Sequence, residues 1–213
     1  MIRSIIFDMD GVLVDSESCI RNACINMFKS RGLSVTAEDF LPFTGMGENR
    51  FIGGVAAKYG LEFSLDMKAE AYSIYGEIAE ENVIVYGGVK DMIMELRQRG
   101  YKLAVASAAD HVKVMVNLRC MGLSETDFDA VVTGNDVTKH KPDPEAFLLA
   151  CKRLSGQPHE ALVVEDAVAG CQAAKAANMM CIGVTSTFAP DALKNAGADF
   201  VVDKTTDIVN YLM

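Results

Sequence analysis

No run of lysine or arginine relieves the acidity of this chain, in which 20 basic residues face 29 acidic ones over 213 positions, a formal charge of −9 and a pI near 4.8. That balance argues against a nucleic-acid surface and leaves any anionic ligand dependent on a few locally placed cations. No apolar stretch approaches the roughly 18 residues of a membrane-crossing helix. The lone basic residue Arg3, ahead of a short apolar run that soon meets Asp8, does not make a secretion signal. The expectation is a soluble, cytoplasmic protein with no membrane partner. No C-x-x-C pair occurs among the cysteines at 19, 24, 120, 151, 171 and 181, each in an apolar pattern, so reduced, mostly buried thiols are expected. Internal repeats and low-complexity tracts are also missing. What is present is hydrophobic material, 50% of the residues, enough for a sizeable core.

The most informative segment is Ser4 to Asp15, in which the apolar run Ile5-Ile6-Phe7 ends in Asp8-Met9-Asp10-Gly11. Ligands of an open parallel sheet bind outside the carboxyl ends of its strands, so acids there face a crevice. A period of two sends Asp8 and Asp10 to one side, where two carboxylates repel unless a cation or proton lies between them. A divalent metal would satisfy the pair. Ordinary acids in a turn after a strand would look the same.

Residues 17 to about 83 read as helical throughout. Ile20, Ala23, Cys24, Met27 and Phe28 keep helical spacing up to Gly32; Phe51, Ile52, Val55, Ala56 and Tyr59 form a second face, and Met67 to Glu81 a third helix. After Tyr86-Gly87-Gly88, helix and strand alternate. Helices are expected near 89–99, 111–120, 144–154 and 168–178, between apolar strands at 102–107, 130–133, 161–165, 181–184 and 200–202. That alternation predicts an α/β fold, a parallel sheet covered on both faces. The expected division is a core of residues 1–16 and 84–213 and an inserted all-helical domain of residues 17–83. An insert leaving the sheet beside Asp8 would act as a lid, with hinges near 14–17 and 83–87.

Further strand ends carry polar residues. Ser107 is followed by Ala108 and Ala109, whose small side chains let amides approach an oxyanion, although a helix N-cap would use the same serine. Lys141 stands in a loop framed by Pro142 and Pro144, which would hold its ammonium at a fixed point. Lys139 and His140 read as surface residues. Glu165 and Asp166 close the strand at 161–165 with Gly170 beyond, an oxygen set suited to Mg²⁺, with helix capping by Asp166 as the plainer alternative.

Taken together these segments resemble the four motifs of the haloacid dehalogenase superfamily, over essentially the whole chain. Asp8 to Asp15 is similar to the first motif, Ser107 to the second, Lys141-Pro142 to the third, and Glu165-Asp166-Ala167 with Gly170 to the fourth. The insert resembles the cap of the subgroup containing β-phosphoglucomutase and phosphoglycolate phosphatase. The resemblance implies a Rossmann-like parallel sheet with helices on both faces and an inserted helical cap. It further implies Asp8 as nucleophile and Asp10 as general acid/base. Ser107, Ala108 and Lys141 would bind phosphate, and Asp8, the Asp10 carbonyl, Glu165 and Asp166 would surround Mg²⁺. Gly45, Gly47 and Arg50 of the cap loop would meet substrate.

The implied activity is hydrolysis of a phosphomonoester in a small phosphorylated metabolite, by a monomer, with no nucleic-acid partner. Dehalogenases and phosphonate hydrolases of the superfamily lack the acid found here at Asp10. A phosphosugar mutase is the main alternative, but Ile20 stands where β-phosphoglucomutases carry a histidine. A receiver domain of bacterial signalling fits less well, being shorter and without a helical insert. A catalytically idle binding module would have little reason to keep every chemical residue.

Overall fold

The computed structural model describes residues 1–43 and 47–212, which form two compact units, one of Met1–Asp15 with Ile84–Met213 and one of Ser16–Val83. Ser16 falls in the second of these units.

The first unit is built on six parallel strands: β1 (Ser4–Phe7), β4 (Lys102–Ala106), β5 (Ala130–Val132), β6 (Ala161–Glu165), β7 (Met180–Val184) and β8 (Phe200–Val202). Their order across the sheet is β5-β4-β1-β6-β7-β8. The chain therefore builds outward from β1 through β4 to β5, then returns to the opposite side of β1 with β6. That reversal is a topological switch point, the place where such sheets form a crevice. Ile5, Ile6 and Phe7 are fully buried on both faces, as expected of a central parallel strand read as a continuous apolar run.

Helices α4 (Val89–Gln98), α5 (His111–Cys120), α6 (Glu145–Arg153), α7 (Val168–Ala176) and α8 (Pro190–Asn195) connect these strands. On α4 the buried set is Val89, Met92, Ile93 and Leu96, spaced i, i+3, i+4, i+7. Each such burial contributes roughly 1.5–3 kcal/mol before chain entropy is counted. Short strands β2 (Val14–Asp15) and β3 (Ile84–Val85) pair antiparallel and bring together the two chain segments that flank the insert. Two-residue strands are too short for any period, and the sequence did not suggest them; α8, a single long turn, escaped for the same reason.

The second unit consists of α1 (Glu17–Ser30), α2 (Glu48–Lys58) and α3 (Leu65–Asn82), with a 3₁₀ segment at Ala37–Phe43. Its core includes Phe28, Phe40 and Phe51, with ring centroids 6.3 Å and 4.6 Å apart along the series. Asp39, at the start of the 3₁₀ turn, accepts from Lys58, from the Tyr59 hydroxyl at 2.8 Å and from the Thr36 amide at 2.8 Å. Those bonds, the Lys58 one first, hold its carboxyl well below the usual carboxylate range. Ile20 is buried on α1. Gly47 precedes α2 at φ +80°, a conformation that suits glycine, and Arg50 is exposed beside Phe43, Asn49, Gly53 and Gly54 in a groove of about 350 Å³. Gly45 lies outside the described residues.

The six cysteines are free thiols, five of them buried and Cys120 half-buried. Among the described residues no helix is long and apolar enough to cross a membrane.

Candidate active site

Register decides which polar residues meet. Phe7 lies opposite Val105 of β4 and Val164 of β6, so the next residue, Asp8, is level with Glu165 and one short of Ser107. The Asp8 amide donates to the Val164 carbonyl at 3.0 Å, extending the ladder by one rung past the strand. The loop that follows is tied down by its own backbone, Leu13 N–H to Met9 O at 2.9 Å and Gly11 N–H to Val14 O at 2.7 Å. From outside, the Ser186 hydroxyl donates to Gly11 O and Thr205 Oγ1 donates to Val12 O.

Lys141 joins the strand ends. Its Nζ is 2.5 Å from Asp8 Oδ1 and 2.6 Å from Glu165 Oε1, and it lies 4.7 Å from the Phe147 ring centroid. All three charged side chains are at most 11% exposed. Burial alone would lower the lysine's affinity for its proton, but the Asp8 and Glu165 charges overcome this and leave it raised. Glu165 Oε2 also accepts the Ala167 amide at 2.7 Å.

Asp166 is buried, and burial followed by repulsion from Glu165 pushes its carboxyl up to about 7. Burial also raises Asp8 well above the ordinary range, with Lys141 opposing and Glu165 and Asp166 reinforcing the shift. Three buried carboxylates thus face one ammonium. Such a deficit is costly unless a proton or a further cation offsets it.

An all-oxygen donor set of this kind suits a hard divalent cation. Among the described residues no three acid, imidazole or thiol side chains converge as a metal cage. Asp8 and Asp166 are the carboxylates that could hold such a cation, with a backbone carbonyl and water completing a shell of the kind Mg²⁺ commonly has. The space beside Asp166 is shaped by Gly11: at φ +78°, a Cβ there would fall 1.9 Å from Asp166 Oδ2. Gly11→Ala is expected to displace Asp166 and to lower kcat by at least about a hundredfold, since an ångström of misplacement costs that much. Steady-state assays on folded variant would check it.

Asp166 also sets a pH signature. Its folded value, about 7, lies above the ordinary 3.8, so the folded state holds the extra proton between these values. Its contribution to stability is greatest below pH 4 and is lost as pH rises toward 7. In chelator, Tm measured across that window should fall less steeply for Asp166→Asn than for the parent.

Ser107 is buried, and its Oγ accepts from the Ala109 amide at 3.1 Å. It caps no helix, because α5 begins at His111 with Asp110 in the cap position. Nor does Asp166 cap α7, whose cap position is Ala167. The Ala108 segment is held from the 3₁₀ turn Gly134–Asp136 that follows β5: a Cβ on Gly134 would lie 2.4 Å from Ala108 O, and the Gly134 amide donates to Ala109 O at 2.8 Å. Gly170 lies equally close to Glu165, where a Cβ would come within 1.8 Å of Oε1.

Asp10 differs from the period-two expectation. β1 stops at Phe7, and Asp10 meets a different cation from Asp8, its Oδ2 lying 2.9 Å from Lys113 Nζ. Sequence reasoning missed Lys113. The available signal was two polar residues, Lys113 and Asn117, at i and i+4 on the face of α5 that also carries Val114 and Leu118.

A doubly wound parallel sheet with an acid-centred site at its switch point defines a Rossmann-like α/β enzyme. A family model described as haloacid dehalogenase-like hydrolase matches residues 5–184, and the chain belongs to that family. The phosphorylated carbohydrates phosphatase of Thermotoga maritima is 32% identical over 99% of this chain and 98% of its own length. Protein SUPPRESSOR OF QUENCHING 1, chloroplastic, from Arabidopsis thaliana is 42% identical over 97% of this chain, which spans only 20% of that protein. Among solved structures, CbbY from Rhodobacter sphaeroides in complex with phosphate has a TM-score of 0.83 and 26% identity, covering 98% of this chain and 96% of the other.

Proposed function

We propose that the protein is a Mg²⁺-dependent phosphomonoester hydrolase acting on a small phosphorylated metabolite of the sugar-phosphate class through an aspartyl phosphate. The observation that carries this reading is the buried Asp8–Lys141–Glu165 bridge, at 2.5 and 2.6 Å, beside the further acid Asp166. It fits an in-line nucleophile with a fixed cation next to it. Asp8, Asp166 and the Asp10 carbonyl would hold Mg²⁺, with Glu165 nearby, and the metal would supply positive charge against the approach of a carboxylate to a phosphate.

The chain's own groups do the rest. Asp8 bonds phosphorus as the ester oxygen leaves; Asp10 protonates that oxygen and then takes a proton from the water that releases phosphate. Lys141 holds a phosphoryl oxygen in place, and the Ser107 hydroxyl and the Ala108 amide orient the others. Gly47 and Arg50 belong to the inserted unit, which we assign to substrate selection; Gly45 is proposed with them on sequence alone. Hydrolysis is preferred over mutase chemistry because Ile20 offers no group for the proton transfers of a second phosphoryl step.

The similarity to a phosphorylated carbohydrates phosphatase supports the substrate class. Phosphate release from a panel of phosphorylated metabolites, with Mg²⁺ and with chelator, tests the reading. Metal-dependent release of inorganic phosphate without an isomerised product is expected; an isomerised phosphosugar as the main product would select the mutase instead.

A further inference from the structure

The cation opposite Asp10 is costly where it stands. Lys113 is the third residue of α5, and its side chain is 7% exposed, against 35% for the carboxylate it meets. Lysine is seldom so buried. The first turn of a helix, with its partial positive charge, is also an unfavourable place for an ammonium. Helix stability would place an apolar or acidic residue there. The bond to Asp10 Oδ2, at 2.9 Å, joins positions 103 apart, so it is a tertiary contact and not a helix-surface pair.

We infer that Lys113 is a positioning residue for the proton-transfer steps, acting through Asp10. The inference rests on the phosphomonoesterase reading above and deepens it. In the first step the Asp8–phosphorus bond forms as the bond from phosphorus to the ester oxygen breaks, and the Asp10 proton passes to that oxygen. In the second, water bonds phosphorus, its proton returns to Asp10, and the Asp8–phosphorus bond breaks. Lys113 gains and loses no proton. Its charge-assisted bond fixes one oxygen of Asp10, which fixes the plane of the carboxylate and so the place of the other oxygen. The last torsion of a carboxylate is broad and soft, so losing that bond loosens its orientation.

The test uses leaving groups. p-Nitrophenolate departs without a proton, whereas an alkoxide from glycerol phosphate needs one. For Lys113→Met, kcat/KM for glycerol phosphate should fall about 10- to 100-fold, while kcat/KM for p-nitrophenyl phosphate changes by less than about threefold. Lys113→Arg should recover part of the loss. In an Asp10→Asn background, Lys113→Met should add nothing, because the two residues act as one unit. Equal losses on both esters, or independent losses in the double variant, would overturn the inference. If Lys113→Met does not fold, Lys113→Gln takes its place in the same comparison. Asp8→Asn, assayed alongside, separates the two levels: full activity there sinks the phosphoesterase reading itself, whereas a dead Asp8→Asn with a flat leaving-group profile sinks only the role of Lys113.

Discussion

Asp8→Asn is expected to lose phosphatase activity by at least about 10⁴-fold, because the amide cannot serve as nucleophile and no neighbouring group replaces it. The fold should survive. Asn keeps the shape of Asp, the β1 ladder does not depend on the carboxylate, and Lys141 retains Glu165 as its partner at 2.6 Å. Burial disfavours the Asp8 charge to begin with, so metal-free Asp8→Asn should melt at or slightly above the parent temperature. Circular dichroism melts beside phosphate-release assays separate loss of chemistry from loss of structure.

Lys141→Met should behave differently, losing both. It leaves Asp8 and Glu165, each buried, without the ammonium that bridges them. Removing one partner of a buried ion pair costs about 3–5 kcal/mol, and two carboxylates share this lysine, so the upper end is expected. Activity should fall by about 10²–10³-fold even in molecules that remain folded, through loss of a fixed charge on the transferring group. The sign with pH follows from Asp8, whose folded value is already raised by burial. Without Lys141 it rises further, so the folded state gains protons as pH falls, and the stability deficit should shrink between pH 8 and pH 5. Urea titrations at those two pH values read the difference.

The contrast between Asp8 and Asp10 shows how much of the site was legible in the sequence. Asp8, Ser107 and Glu165 end short apolar runs, alternating with helices, that read as buried parallel strands, and the register of β1 with β4 and β6 makes them neighbours. A strand's end is visible from its period, and a parallel sheet aligns such ends on one edge. Lys141 was legible as a rigidly framed cation, but not its engagement with Asp8 and Glu165, which depends on a contact between positions 133 apart. Lys113 was legible least. On a helix, which polar residue turns inward is settled by tertiary packing, and one lysine among many carries no mark of its burial. The shape requirements at Gly11, Gly134 and Gly170 were equally hidden, because they are set by the Asp166 carboxylate, the Ala108 carbonyl and the Glu165 carboxylate.

The claim on which the rest depends is that Asp8 takes the phosphoryl group before water does. Hydrolysis of a phosphomonoester made chiral at phosphorus with oxygen isotopes reads this directly from the configuration of the released phosphate. Two successive in-line displacements predict retention. Inversion, the outcome of direct attack by water, would contradict the account.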